Sequence, residues 1–247
     1  MTEPVRIAMW SGPRNISTAM MRAFENRPDT AVVDEPFYAA WLAATGTPHP
    51  MRDEIIAAGE KDARRVAHWL VGPIPGGASV FYQKHMTHHM IPEFGREWLA
   101  GVTSAFLIRR PEDVVASYAD RRGQVTLDDI GVVEQAEIFD RVADRLGHAP
   151  PVIDAADVLA DPRGILTALC AAVGIPFDAA MLSWPAGRRD SDGVWAAHWY
   201  ASVEKSTGFA APKPPVDAES LDPEQRAVAD AARRFYDRLA PHRLGAA

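Results

Sequence analysis

Val5-Arg6-Ile7-Ala8-Met9-Trp10-Ser11-Gly12-Pro13-Arg14-Asn15-Ile16-Ser17-Thr18 decides how the chain is read. Val5 to Trp10 is an apolar run with one charge, closed by the turn residues Ser11, Gly12 and Pro13, and it reads as a buried strand. From Ser17 through Phe24 apolar residues recur at helical spacing, so a helix starts there. A strand, a glycine-containing loop and a helix N-terminus with two hydroxyls aim free backbone N–H groups and both hydroxyls at one point, which attracts phosphate. The loop departs from G-x-x-x-x-G-K-[ST]: Ile16 stands where that pattern has Lys, and the cation is Arg14. A plain strand-to-helix turn with a Ser/Thr cap would leave the same trace, so the remaining chain must decide.

Outward from this stretch, strands and helices alternate. Thr30 to Val33 is a second strand ending at Asp34-Glu35-Pro36-Phe37, and Phe37 to Ala44 a short helix. Residues 51 to 71 read as one amphipathic helix with Ile55, Ile56, Val66, Trp69 and Leu70 on its apolar face. Pro73 to Gly77 breaks the chain, Ser79 to Lys84 is a third strand leading into His85, His88 and His89, and a helix runs on to about Leu99. Thr103 to Arg109 is a fourth strand. A helix from Pro111 to about Arg121 follows, with proline in its first turn beside Glu112 and Asp113. Helices are expected over 126–147 and 157–173, with a fifth strand at Val152 to Asp154 between them. Such alternation implies right-handed crossovers and a parallel sheet covered on both faces. Ligands then collect at the C-terminal strand ends, which carry Ser11 to Arg14, Asp34, Glu35, Lys84, His85, Arg109 and Arg110.

The 247 residues suffice for a substantial core, and 47% hydrophobic with 24% charged residues is ordinary for a soluble globular chain. A formal charge of −7 argues against a general nucleic-acid binder. The single cysteine, Cys170, excludes an internal disulfide and sits in an apolar helical setting, as core rather than nucleophile. Met1-Thr2-Glu3-Pro4 lacks signal-peptide character, and no apolar stretch approaches the ~20 residues of a membrane span. A cytoplasmic protein is expected, and the alanine-rich, arginine-over-lysine composition is associated with a bacterial source.

Pro13-Arg14-Asn15-Ile16-Ser17-Thr18 resembles the P-[KR]-S-G-[ST]-T loop of the sulfotransferases that use 3′-phosphoadenylyl sulfate (PAPS), with Asn15-Ile16 in place of the usual Ser-Gly. Arg109-Arg110-Pro111-Glu112-Asp113 through Ser117 resembles that family's R-x-P-x-D-x-x-x-S stretch, which binds the 3′-phosphate. An arginine leaving a strand end can fork onto a phosphate, and a hydroxyl two turns into the next helix can add to it. Val152 to Pro162, leading to Gly174-Ile175-Pro176, is similar to a structural segment of the family. Gly187-Arg188-Arg189-Asp190-Ser191-Asp192-Gly193-Val194-Trp195 resembles the R-K-G-x-x-G-x-W loop that closes over the nucleotide, with Asp190 replacing a glycine.

The resemblance, over residues 5 to about 195, implies an α/β, three-layer P-loop-type fold with a central parallel sheet of about five strands. Residues 1–247 would form one such domain, with an irregular nucleotide-capping segment at about 184–215 and a C-terminal helix at about 222–240. It implies a sulfuryl transfer from PAPS to a hydroxyl or amine of a small-molecule acceptor, without a metal, a nucleic-acid partner or a membrane. Gly12 to Thr18 would hold the 5′-phosphate, Arg109 and Ser117 the 3′-phosphate, and Arg188 and Arg189 would add cations to it. Arg14, with Lys84 as a second candidate, would stabilise the leaving phosphate. The base is His85 in its Lys-His setting, or Glu35 in its Glu-Pro-Phe setting; His88 and His89 compete with His85, and imidazole titrates near working pH. A P-loop kinase of small molecules or nucleotides and a non-catalytic nucleotide-binding protein are the rival readings. Phe37, Tyr38, Trp41, Trp69, Trp199 and Tyr200 are candidates for an aromatic-lined acceptor pocket.

Overall fold

The computed structural model describes residues 3–246; Met1, Thr2 and Ala247 lie outside the described residues, so the N-terminal reading at Met1-Thr2 and the ends of the 1–247 domain do as well. Five strands, β1 (Val5–Ser11), β2 (Thr30–Asp34), β3 (Val80–Met86), β4 (Thr103–Ile108) and β5 (Val152–Asp154), form one sheet in the order β2-β3-β1-β4-β5. Every pairing in it is parallel. The helices are α1 (Ser17–Glu25), α2 (Tyr38–Thr45), α3 (Arg52–Ala58), α4 (Ala63–Val71), α5 (Pro111–Arg122), α6 (Leu127–Ile130), α7 (Val132–Leu146), α8 (Ala155–Ala160), α9 (Pro162–Ala172), α10 (Ala196–Trp199) and α11 (Pro223–Leu239).

Strand side chains alternate between the faces, so the apolar runs feed two cores. Ile7, Met9, Tyr82 and Leu107 pack with Met20, Phe24, Leu166 and Leu169 of α1 and α9. Ala8, Trp10, Phe81 and Phe106 pack with Val66, Ile138, Phe139 and Leu239 of α4, α7 and α11. Cys170 is fully buried in the first core, and burial pushes its thiol up to about 11, so it is packing and not a nucleophile. The chain leaves β1 toward β3 and β2 on one side and reaches β4 and β5 on the other. The C-terminal ends of β1, β3 and β4 are therefore the point where strand order reverses, and a crevice opens there. No helix among the described residues is long and apolar enough to cross a membrane.

Four expected helices are broken, each by an identifiable residue. The helix over 51–71 is α3 and α4, because Gly59 is extended and Asp62 caps a new start by accepting from the Arg64 N–H at 2.9 Å. No α-helix spans 88–99. Short 3₁₀ turns stand at Thr87–His89 and Glu97–Gly101, and between them the Arg96 guanidinium donates to the carbonyls of Met90, Ile91 and Phe94. Gly131, in the left-handed region at φ 62°, divides 126–147 into α6 and α7. Pro162 ends α8 and opens α9 within 157–173, with Asp161 as its cap. The third strand also starts one residue later and ends two later than expected, which carries Lys84 and His85 inside it.

The stretch from Trp184 to Pro215 has α10 as its only α-helix. Its residues Trp195, Ala196 and Tyr200 pack with Tyr38, Leu42 and Ile55, which lays the segment over α2 and α3 beside the crevice.

Candidate active site

At the strand-order reversal lies a cavity of about 360 Å³, lined by residues 13–19, by Glu35 and Lys84, and by Arg109, Ser117 and Tyr118. One end is built for an anion. The N-cap of α1, Ile16, offers no side-chain cap, so the first-turn N–H groups of this helix face the cavity with the Ser17 and Thr18 hydroxyls. Arg14 Nε donates to Ser117 Oγ at 3.0 Å, and Arg109 Nη1 donates to the Arg14 carbonyl at 2.6 Å. Burial lowers the affinity of Arg14 for its proton, and Arg121 and then Arg109 add repulsion; burial does the same to Arg109. None of Arg14, Arg109 and Arg121 forms an ion pair with a carboxylate among the described residues. Three like charges gathered at a helix N-terminus form a strong site for a phosphate-bearing ligand.

Arg14 at φ 61°, Ile16 at φ 26° and Glu35 at φ 44° all line the cavity in a backbone region costly for side-chain-bearing residues, roughly 1–3 kcal/mol each. Asn15 lines the loop too, but its amide nitrogen donates to the Leu107 carbonyl at 2.7 Å and ties the loop to β4. Gly12 and Pro13 shape the approach. Gly12 passes against the Ile130 carbonyl so closely that a Cβ would collide with it, which explains the glycine without any ligand contact.

The other end is anionic and hydrogen-bonded. Lys84 Nζ donates to Asp34 Oδ1 at 2.8 Å, Glu35 Oε1 at 2.6 Å and Tyr200 Oη at 2.7 Å, which uses all three of its N–H groups. Tyr200 Oη in turn donates to Asp34 Oδ2 at 2.7 Å. Burial opposes the charge on Lys84, but Asp34 and Glu35 more than offset this and hold it well above the ordinary lysine value. For Glu35 burial dominates and Asp34 adds repulsion against the pull of Lys84, so its carboxyl is pushed up to about 7. A half-neutralised carboxyl lining a cavity suits proton transfer at neutral pH.

His85 is elsewhere. One residue after Lys84 on the same strand, it points to the opposite face, 2% exposed, stacked on Trp10 at 4.4 Å and beside Phe37 and Trp98. Burial pushes its imidazole down to about 3, and Gln83 bonds its Nε2. The structure thus removes His85 from the cavity, and Phe37 with it. His88 and His89, from the turn after β3, do line it.

Arg188 and Arg189 also fall outside. Arg188 is exposed, and Arg189 Nη2 donates to the Pro185 carbonyl at 2.9 Å. Their loop is fastened to α1 through the buried pair Arg22–Asp192 at 2.7 Å and a Ser191–Glu25 hydrogen bond. The extra cavity cations are Arg121 and Arg122 at the end of α5. Arg121 lies four residues beyond Ser117, on the same helix face, a spacing that was readable in the sequence. Of the aromatic candidates, Tyr38, Trp199 and Tyr200 line the cavity. Trp41 stacks behind it on His89, and Trp69, 43% exposed, packs edge-on to Phe81 outside it. Asp129, His49, Ser202, Met86 and Val203 complete the lining; no spacing in the sequence links Asp129, His49, Ser202 and Val203 to the strand ends.

The sulfotransferase domain model matches residues 5–241, nearly the whole chain. Two curated Arabidopsis thaliana proteins are similar: branched-chain-amino-acid aminotransferase-like protein 1, 38% identical over 86% of this chain, and branched-chain-amino-acid aminotransferase-like protein 2, 34% identical over 84%. The chain spans 38% and 36% of their lengths, so their names describe much longer proteins. Among solved structures, the sulfotransferase domain from the curacin biosynthetic pathway aligns over 97% of this chain and 99% of its own with a TM-score of 0.57 at 17% identity. A sulfotransferase from Alicyclobacillus acidocaldarius aligns over 98% and 95% with a TM-score of 0.52 at 12% identity. These two share the fold. The chain belongs to the sulfotransferase domain family.

Proposed function

We propose that this sulfotransferase takes its sulfuryl group from PAPS and delivers it to a hydroxyl of a small-molecule acceptor, with Glu35 as the base. The observation that carries the reading is the pairing, in one cavity, of an arginine cluster at the α1 N-terminus that has no ion-pair partner among the described residues with a carboxyl poised near neutrality. Ser17, Thr18 and the first-turn N–H groups of α1 hold the 5′-phosphate, and Arg109, Ser117 and Arg121 hold the 3′-phosphate. Arg14 stands between the two groups, where its charge counts most as the bond to the leaving phosphate breaks. Glu35 removes the acceptor proton. Lys84 keeps Glu35 in place and, with its three N–H groups engaged, acts on the base rather than on the leaving group.

Calorimetric titration tests the donor. The 3′,5′-bisphosphate of adenosine should bind about 10- to 100-fold more tightly than ADP or ATP with magnesium, because a charged hydrogen bond at the 3′-phosphate contributes about 1.5–3 kcal/mol. Equal affinity for ATP with magnesium would instead favour a kinase. Arg14→Ala should lower kcat with little change in bisphosphate binding.

A further inference from the structure

Asp34 and Glu35 are consecutive carboxyls on one lysine, but their hydrogen bonds are unequal. Asp34 accepts from Lys84 on Oδ1 at 2.8 Å, and on Oδ2 from the Tyr200 hydroxyl at 2.7 Å and the Gly193 N–H at 3.4 Å. Glu35 accepts once among the described residues, from Lys84 on Oε1 at 2.6 Å. The roles at Tyr200 follow from its neighbours. The Lys84 ammonium and the Trp195 indole N–H only donate, at 2.7 and 3.3 Å, so the hydroxyl accepts from both and gives its own proton to Asp34. Two of the three donors on Asp34 thus come from one segment, the stretch laid over α2 and α3. That stretch is held in place by the packing of the Tyr200 ring with Tyr38, Leu42 and Ile55, and by the Arg22–Asp192 pair.

A hydrogen bond donated to a carboxylate favours its charged form, and two carboxylates that share a site do not both ionise cheaply. With three donors on one carboxyl and one on the other, a proton entering the pair goes to Glu35, the member that lines the cavity. The other titratable groups packed around the pair do not compete. Burial pushes the phenols of Tyr38, on α2, and Tyr82, on β3, above the ordinary tyrosine value, and keeps His89, after β3, well below the ordinary imidazole value, so all three are neutral near pH 7. We propose that Tyr200 is a positioning residue of the base: by donating to Asp34 and accepting from Lys84 it keeps the charge of the carboxyl pair on Asp34 and leaves Glu35 to take the acceptor's proton. The proposal rests on the sulfuryl-transfer reading of this cavity, with Glu35 as the base. The position of Glu35, raised to about 7 by burial and by Asp34 against the pull of Lys84, agrees with it. Without the hydroxyl, Asp34 holds its charge less firmly and repels Glu35 less, while Lys84 has one N–H released and attracts Glu35 more. Both changes make Glu35 harder to protonate.

The test is carboxyl carbon NMR of the protein alone, titrated from about pH 5 to 9, with the Asp34 and Glu35 signals assigned by Asp34→Asn and Glu35→Gln. Tyr200→Phe keeps the ring and its packing. It should lower the Glu35 midpoint by about 0.5 unit or more, since two or three hydrogen bonds move a carboxylate by about two units. Because Tyr200 acts mainly through Asp34, Tyr200→Phe made on top of Asp34→Asn should move the midpoint by less than about half as much, whereas lost packing or admitted water would act equally in both backgrounds. A Glu35 midpoint unchanged or raised in Tyr200→Phe, or an equal shift in the two backgrounds, overturns the proposal. So does a proton found on Asp34 rather than Glu35 near pH 7 in the unaltered protein, a result that needs no variant to fold. Absence of adenosine bisphosphate binding in calorimetry would sink the transfer reading alone, since the carboxyl titrations need no ligand and decide the placing of the proton in either case.

Discussion

Asp34→Asn is expected to move the acid limb of the transfer rate to lower pH. Burial first, and Asp34 second, hold Glu35 at about 7 against the attraction of Lys84. The Asp34 and Glu35 oxygens lie 2.8 and 2.6 Å from one nitrogen and are thus no more than 5.4 Å apart. At an effective dielectric constant of about 20, repulsion at that separation is about 3 kcal/mol, or roughly two pKa units. Asparagine has the same shape and can still accept from Lys84, and the lysine charge then acts on Glu35 alone, which has the same sign. Glu35 works deprotonated, so a lower pKa keeps the base available at lower pH, and the limb should shift down by about one to two units. The plateau rate should fall, since a weaker base transfers the proton less readily. Stability is linked in the same way. A carboxyl whose folded value is raised contributes stability that is present below its unfolded value, ~4.3, and lost as pH rises through about 7. Asp34→Asn should flatten that loss. The assay is kcat against pH from about 5 to 9 at saturating PAPS, with denaturant melts over the same range. A limb that stays near 7 or moves upward in Asp34→Asn, or one that persists in Glu35→Gln, refutes the reasoning.

Calorimetry should find that Arg109→Ala weakens adenosine bisphosphate binding by about 1.5–3 kcal/mol, and that the exposed Arg121→Ala weakens it by about 0.5–1 kcal/mol. Arg188→Ala, outside the cavity, should leave binding within about 0.5 kcal/mol of the parent. Gly12→Ala drives a methyl into the Ile130 carbonyl and should destabilise the fold by about 1–3 kcal/mol in urea melts. Asp192→Ala leaves the Arg22 guanidinium, 1% exposed, with only Glu25, 23% exposed. It should cost about 3–5 kcal/mol in the same melts while the Arg109 site keeps its geometry.

Local pattern alone carried the sheet: five strands, the loop after β1 and the proline-led start of α5 are written in runs of neighbouring residues, and apolar alternation is a short-range signal. The same kind of signal joined Arg14 and Arg109, because each sits just beyond a strand end and parallel strands bring such ends to one edge, while Ser117, two turns into α5, was joined to them by the resemblance to the family's motif. What only the tertiary structure decided depends on directions and distant partners. A shift of one residue along β3 sends Lys84 to the carboxylates and His85 into the aromatic core, so the choice between two neighbouring candidates for chemistry turned on where the strand ends. The Arg188-Arg189 loop was read for its charge, but Asp192, from the same loop, found Arg22 on α1, 170 residues away, and fixed the loop there. Glu35 is held near 7 by burial, with the repulsion of Asp34 added, against the pull of Lys84, which β3 brings in from 49 residues away. A pKa is a property of packed surroundings, and no sequence spacing encodes it.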